Sequence, residues 1–178
     1  MKALVVGASG MLGQDLCPVL EDFGYETIET GSKILDITKK DDVFDFVENK
    51  NHDIIFHLAA YTNVDKAEIE KEKAKLINKE GTKNLARISK KLDIPIVYIS
   101  TDYVFDGEKN SPYLPNDKTN PVNVYGKTKL MGEIEIQKHC EEFYIARTSW
   151  LYGIHGKNFV DTMLNLKDKP LKVVNDQW

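Results

Sequence analysis

The chain is short of the residues that most often announce special chemistry. Its 178 residues include two cysteines, two tryptophans, four histidines and two arginines. Cys17 and Cys140 both fall in stretches that read as helix, and neither shares a metal-ligand spacing with the other or with a histidine. A disulfide scaffold and a zinc site are thus without support, both thiols are expected to be reduced and inert, and no metal is expected. No apolar run approaches membrane-spanning length. Met1-Lys2-Ala3-Leu4-Val5-Val6-Gly7 lacks the charged start, long apolar middle and cleavage site of a signal peptide, so a cytoplasmic protein without a membrane partner is expected. Positive charge is not in excess either. With 28 acidic against 24 basic residues and a net charge of −4, the chain opposes a phosphate backbone, and nucleic acid is not an expected partner.

What is present is the balance of a globular protein: 42% hydrophobic, 29% charged. A chain of this length buries roughly 70% of the surface its unfolded form exposes, enough for one core. Short apolar runs alternate with helical ones. Lys2–Val6, 26–29, 53–57, 95–100, 143–147 and 171–175 read as strands. Residues 11–23, 41–50 with Thr38 as N-cap, a long stretch within 65–92, 125–140 and 159–166 read as helices. Strands such as Ile54-Ile55-Phe56 are apolar on both faces, which predicts an α/β fold with a doubly wound parallel sheet. The mixed-sign run Asp65 to Lys75 reads as a solvated helical face. One long irregular stretch, 101–124, carries Pro112, Pro115 and Pro121 and joins the carboxyl end of the fourth strand to the next helix. Open α/β sheets bind ligands on that side.

Directly after the first strand comes Gly7-Ala8-Ser9-Gly10-Met11-Leu12-Gly13, with a glycine at every third position, leading into a helix. Gly7 permits a tight turn, Gly10 lets backbone N–H groups approach a pyrophosphate, and Gly13 brings the helix close to the strand. Glycine spacing alone is weak. Its position at the first strand–helix junction of an alternating chain makes dinucleotide binding the expectation. Specificity for the adenosine ribose then rests on Glu29-Thr30-Gly31-Ser32-Lys33. If Gly31 ends the second strand, Ser32 and Lys33 are free to meet a 2′-phosphate, which favours NADP(H) and leaves NAD(H) open. Asp36 and Ile37 fall where the adenine edge would pass, and Leu58, Ala59, Ala60 and the adjoining Tyr61 where the nicotinamide-side ribose would.

Tyr125 and Lys129 stand one helical turn apart in Asn123-Val-Tyr-Gly-Lys-Thr-Lys-Leu-Met-Gly-Glu133 and share a helix face. A phenol near its aqueous pKa of ~10 is a poor acid or base at neutral pH. A neighbouring ammonium supplies part of the roughly 4 kcal/mol needed to bring it into range. Thr101, at the carboxyl end of a strand, can reach the same reacting oxygen, although turn capping also explains a hydroxyl there. Arg147 is open to two readings, a diphosphate contact or an ion pair inside the fold. Asp15 reads as a surface carboxylate or, less simply, as a ligand for an interface ion.

Taken together, residues 58–68 (LAAYTNVDKAE), 100–107 (STDYVFDG), 123–133 (NVYGKTKLMGE), 147–153 (RTSWLYG) and 173–178 (VVNDQW) resemble the extended short-chain dehydrogenase/reductase superfamily, and within it the dTDP-4-dehydrorhamnose reductase family. The resemblance implies a Rossmann-like NAD(P)-binding domain over 1–178. It implies that Tyr125 delivers a proton, Lys129 lowers its pKa and holds the nicotinamide ribose, and Thr101 hydrogen-bonds the substrate carbonyl. Gly7, Ser9, Gly10, Met11, Leu12, Gly13, Ser32, Lys33, Asp36, Ile37, Leu58, Ala59, Ala60 and Tyr61 become the remaining cofactor contacts. Val64, Asp102, Tyr103 and Trp150, with Thr101, fall in the family's substrate pocket.

The implied activity is NADPH-dependent reduction of the C4 ketone of a dTDP-linked deoxyhexulose, and a homodimer is compatible with it. Because the sequence stops inside the segment that in this family leads into the rest of the substrate lobe, weak or absent turnover is expected of residues 1–178. Two alternatives stay open: a nucleotide-sugar epimerase or dehydratase, and a noncatalytic dinucleotide-binding subunit resembling the β subunit of methionine adenosyltransferase.

Overall fold

The computed structural model describes residues 1–167 and residue 170. Five strands, β1 (Lys2–Val6), β2 (Glu26–Thr30), β3 (Ile54–His57), β4 (Ile96–Thr101) and β5 (Phe143–Thr148), form one sheet in the order β2-β1-β3-β4-β5. Every pairing is parallel. The expected strand at 171–175 and the motif at 173–178 lie outside the described residues.

Alternation along β1 shows why the sheet is covered on both faces. Leu4 and Val6 enter a core with Val43 and Val47 of α2 (Lys40–Glu48), Leu85 and Ile88 of α5 (Thr82–Leu92) and Ile136 of α6 (Val124–His139). Ala3 and Val5 point the other way, onto Cys17 and Leu20 of α1 (Met11–Asp22). Each fully buried Leu or Ile contributes on the order of 2–3 kcal/mol. Right-handed crossovers demand this division: the chain moves one way from β1 to β2 and the opposite way from β2 past β1 to β3. The direction reverses between β1 and β3, and a crevice opens there at the carboxyl ends of the strands. This is the doubly wound, Rossmann-like sheet expected from the alternating sequence.

Two local expectations fail. Thr38 does not cap α2, because its N–H and hydroxyl are both committed to Asp36 Oδ1, at 3.0 and 2.7 Å. Lys39 occupies the cap position, and Asp41 and Asp42 in the first turn complement the positive end of the helix instead. The long helix within 65–92 is broken. It divides into α3 (Val64–Ile69), α4 (Lys71–Lys75), a π-helical turn (Leu76–Gly81) and α5, with the first break at Glu70, whose backbone leaves the helical region (φ −97°, ψ 47°). Asparagine side chains start three helices by accepting a backbone N–H: Asn63 for α3, Asn123 for α6 and Asn158 for α7 (Phe159–Asn165). The link from β4 to α6 begins with a 3-10 turn, Asp102–Val104.

Candidate functional site

The glycine turn lies against the crevice where the strand order reverses. The N–H groups of Gly7 and Ala8 both donate to the Thr30 carbonyl at 2.9 Å, so the turn is tied to the end of β2. Gly7 has φ +94°, and a Cβ there would lie 2.7 Å from the Ala59 nitrogen just past β3. Only glycine fits both demands. At Gly13 a Cβ would run into the Ala8 backbone, which is how α1 comes so close to β1. No side chain caps α1, whose N-cap is Gly10. Its first N–H groups therefore have no side-chain partner at a terminus suited to negative charge. A Cβ on Gly31 would sit 2.6 Å from Ser9 Oγ and begin to fill the same hollow. The cradle thus fits a dinucleotide diphosphate on steric and electrostatic grounds.

Two clefts meet at this turn. The first, of about 610 Å³, is lined by Gly7, Ser9, Gly10, Met11, Leu12, Gly13, Ser32, Leu58, Ala59 and Ala60 together with Val64, Thr101, Asp102, Tyr103, Tyr125, Lys129 and Trp150. The second, of about 500 Å³, shares Gly7, Ser32, Ala59 and Ala60 and adds Asp36, Ile37 and Tyr61. All the candidate cofactor, catalytic and substrate positions but one therefore line one or other of these two adjoining clefts. The exception is Lys33, which is exposed and lines neither cleft. β2 ends at Thr30, so Gly31 follows the strand and no carboxylate stands at its tip. Glu29, the nearest acid, belongs to the strand itself and affects the Cys17 thiol on α1.

Tyr125 and Lys129 lie on α6, with Thr101 at the tip of β4. Burial pushes the Tyr125 phenol up. The Thr101 hydroxyl pulls against that rise, and Asp102 and Tyr103 add to it. Tyr103 packs edge-on against Tyr125, with ring centroids 5.8 Å apart. The expected lowering of this phenol by Lys129 is not met. Lys129 is 3% exposed and donates to the Ile99 carbonyl at 2.6 Å, with its nitrogen 4.1 Å from the centre of the Tyr98 ring. Burial brings its ammonium down to about 7, while Glu133 works the other way. The arrangement presents a protonated phenol, a weaker acid here than in water, on the same helix as an amine close to its own titration point. Thr101 serves both of its readings: its hydroxyl donates to Asp102 Oδ1 at 3.0 Å and accepts the Tyr103 N–H at 3.2 Å, and it borders the cleft.

Several further residues matter. Asn78, inside the π-helical turn, is 1% exposed. It accepts the Tyr61 N–H at 2.8 Å and donates to the Tyr61 carbonyl and to Thr128 on α6. It clamps the Tyr61 backbone to α6. Nothing in the sequence marks it, since a π turn has no signature of its own. Glu133 ends the quoted motif and is fully buried. Arg147 grips it through Nε at 2.9 Å and Nη2 at 2.6 Å, which resolves the Arg147 alternatives in favour of an internal ion pair. Asp15 Oδ1 accepts from His155 Nδ1 at 2.7 Å, a contact that leans residues 153–156 on the start of α1. Cys17 and Cys140 are free and buried, and burial lifts both thiols, Cys17 to about 11. Among the described residues no helix is long and apolar enough to cross a membrane.

The whole chain, residues 1–178, matches the family model described as the RmlD substrate binding domain. It is 42% identical over 178 residues to the spore coat polysaccharide biosynthesis protein SpsK of Bacillus subtilis, covering 99% of this chain and 63% of that protein. It is 42% identical over 179 residues to the dTDP-4-dehydrorhamnose reductase of Aggregatibacter actinomycetemcomitans, covering 99% of this chain and 61% of that protein. A crystal structure of dTDP-4-dehydrorhamnose reductase from Bacillus anthracis in complex with NADP matches with a TM-score of 0.91 at 40% identity, over 94% of this chain and 60% of that one. The chain thus spans about three fifths of the length of the relatives it matches. With a family model met from first residue to last and relatives at this level of identity, the chain belongs to the RmlD substrate binding domain family.

Proposed function

We propose that the protein carrying this chain reduces the C4 ketone of dTDP-4-dehydrorhamnose with NADPH, giving dTDP-L-rhamnose. The observation that carries the reading is the single depression in which the Gly7–Gly13 cradle runs without interruption to Tyr125, Lys129 and Thr101. The cofactor named for the Bacillus anthracis relative and the activity named for the Aggregatibacter protein support it. The reading carries a cytoplasmic setting, since a soluble sugar nucleotide and NADPH are its reactants.

The backbone of the Gly7–Gly13 turn and the start of α1 would hold the diphosphate, with Ser32 toward the adenosine ribose. The bound dihydronicotinamide supplies the hydride. Tyr125, kept protonated by burial, donates its proton to the carbonyl oxygen as negative charge grows there, which removes the cost of a free alkoxide. Thr101 would position that oxygen by a hydrogen bond once its hydroxyl proton rotates from Asp102 Oδ1 to the substrate. Lys129, on the same helix with an amine that titrates near neutrality, would support the phenolate that remains once its Nζ turns from the Ile99 carbonyl. Tyr103, Val64 and Trp150 form the wall on the sugar side, and Asp102 orients the Thr101 hydroxyl.

The test is NADPH oxidation with freshly made dTDP-4-dehydrorhamnose, repeated with Tyr125→Phe. Turnover should fall by about 10² to 10⁴ while NADPH binding is kept. Wild-type protein that binds NADPH and never oxidises it would overturn the reductase reading and favour a noncatalytic subunit. Purification with stoichiometric NAD would favour an epimerase or dehydratase.

A further inference from the structure

Behind the proposed reacting groups lies a buried ionic corner that the chemistry above does not use. Glu133 is 1% exposed and stands four residues after Lys129 and eight after Tyr125, on the same stripe of α6. Its carboxylate takes three donors. Oε1 accepts the Ser100 hydroxyl in a short bond and Arg147 Nε at 2.9 Å, and Oε2 accepts Arg147 Nη2 at 2.6 Å. Ser100 is the neighbour of Thr101 on β4. Arg147, on β5, spends its remaining nitrogen on the long loop, with Nη1 donating to the Pro115 carbonyl at 3.0 Å. Its guanidinium also lies 5.0 Å from the centre of the Phe105 ring, which is stacked on Tyr113 at 4.2 Å. Four segments thus converge on one carboxylate and one guanidinium: the end of β4, α6, β5 and the 105–115 loop.

We infer that Glu133 and Arg147 form a positioning pair for the reduction, fixing Thr101 on its strand relative to Tyr125 on its helix and holding the 105–115 loop against that frame. The inference rests on the reductase reading. A bidentate fork sets distance and angle together, which a single point charge does not. Proton donation to a carbonyl held by Thr101 depends on that register, where displacement of about 1 Å can cost on the order of 100-fold in rate. The pair touches no substrate in this arrangement and acts only through its neighbours.

The experiment compares wild type, Glu133→Gln, Arg147→Lys and the double variant Glu133→Gln/Arg147→Lys in the full-length protein. For folded protein, checked by circular dichroism, kcat should drop roughly 10- to 100-fold in each single variant, with the NADPH Kd within twofold of wild type. The double variant should be no slower than the worse single one, the signature of two groups acting as a unit. Unchanged kcat in the folded single variants, or effects that multiply in the double, would overturn the inference and leave the pair a structural ion pair only. If wild type proves inactive with this sugar nucleotide, the reductase reading fails separately. The pairing is then read from the Tyr125 phenol, followed by ultraviolet titration against Tyr125→Phe. The phenol should titrate higher in Glu133→Gln and Arg147→Lys, because the restraining Thr101 hydroxyl has moved off, and an identical titration in all proteins would refute the inference.

Discussion

Replacing Lys129 with methionine, which keeps most of the volume and removes the charge, should make the protein more stable at pH 6 and should lose that advantage as the pH rises. Burial lowers the Lys129 pKa from 10.5 to about 7, a change of roughly 3.5 pH units or about 5 kcal/mol. The unfolded chain keeps this proton up to about 10.5, whereas the native chain lets it go near 7. Between those values the unfolded state binds more protons, so wild-type stability climbs with pH by about 1.4 kcal/mol per unit; below 7 both states are protonated and the full penalty stands. Methionine escapes the penalty but forfeits the hydrogen bond to Ile99, worth about 1 kcal/mol. Urea midpoints of wild type and Lys129→Met at pH 6 and pH 9 should therefore show the variant ahead by a few kcal/mol at the lower pH, with the gap closing by about 3 kcal/mol at the higher. Other titrating groups are common to both proteins and cancel, apart from His57, which Lys129 helps to hold near 3, well below this range. A gap that stays constant across this range, or a variant less stable at pH 6, would refute the assignment of a strained, charge-disfavouring site for Lys129. Its retention would then owe nothing to a stability sacrificed for function.

Three other perturbations test the frame around it. Gly7→Ala must adopt φ +94° and bring a Cβ to 2.7 Å from Ala59, so calorimetry should show a loss on the order of 3 kcal/mol or more together with loss of dinucleotide binding. Lys33→Glu should lower the preference for NADPH over NADH about tenfold in fluorescence titrations, the effect of one charge beside a 2′-phosphate; an unaltered ratio would remove Lys33 from the cofactor site. His57 is fully buried, with burial chiefly and Lys129 secondarily pushing it down to about 3. Its neutral form contributes stability that is complete above pH 6.5 and drains away as the pH falls toward 3. Wild type should lose about 2 kcal/mol between pH 6.5 and 4.5 that His57→Gln does not.

The parts of this molecule that a reader of the sequence can see are those set by local pattern. β1 and β3 announce themselves because a strand covered on both faces is apolar along most of its length, Ala3 to Val6 and Ile54 to Phe56, and the glycine turn does so because Gly7 holds a conformation that other residues rarely adopt. The broken helix between residues 64 and 92 is invisible. Its π turn exists to carry Asn78 to the Tyr61 backbone, and that partner lies 17 residues away in sequence. Spacing puts Tyr125 and Lys129 on one face but does not aim the amine, whose direction is decided by the Ile99 carbonyl and the Tyr98 ring, both from β4. Arg147 is ambiguous for the same reason: only the burial of Glu133, a fact of packing, selects its partner.

The π-helical turn at Leu76–Gly81 carries one residue more than an ordinary helix would use. Removing one amino acid there would let a regular helix form with the flanking turns close to their present places, and the residues inside the turn would lose the positions they now hold. The Asn78 amide would swing off the Tyr61 backbone while α5 kept its grip on the sheet. A change that improves local helical geometry would thus unlatch the floor of the cleft, and length variation in a family alignment should be scarcer at these six residues than in the solvated turns on either side of them.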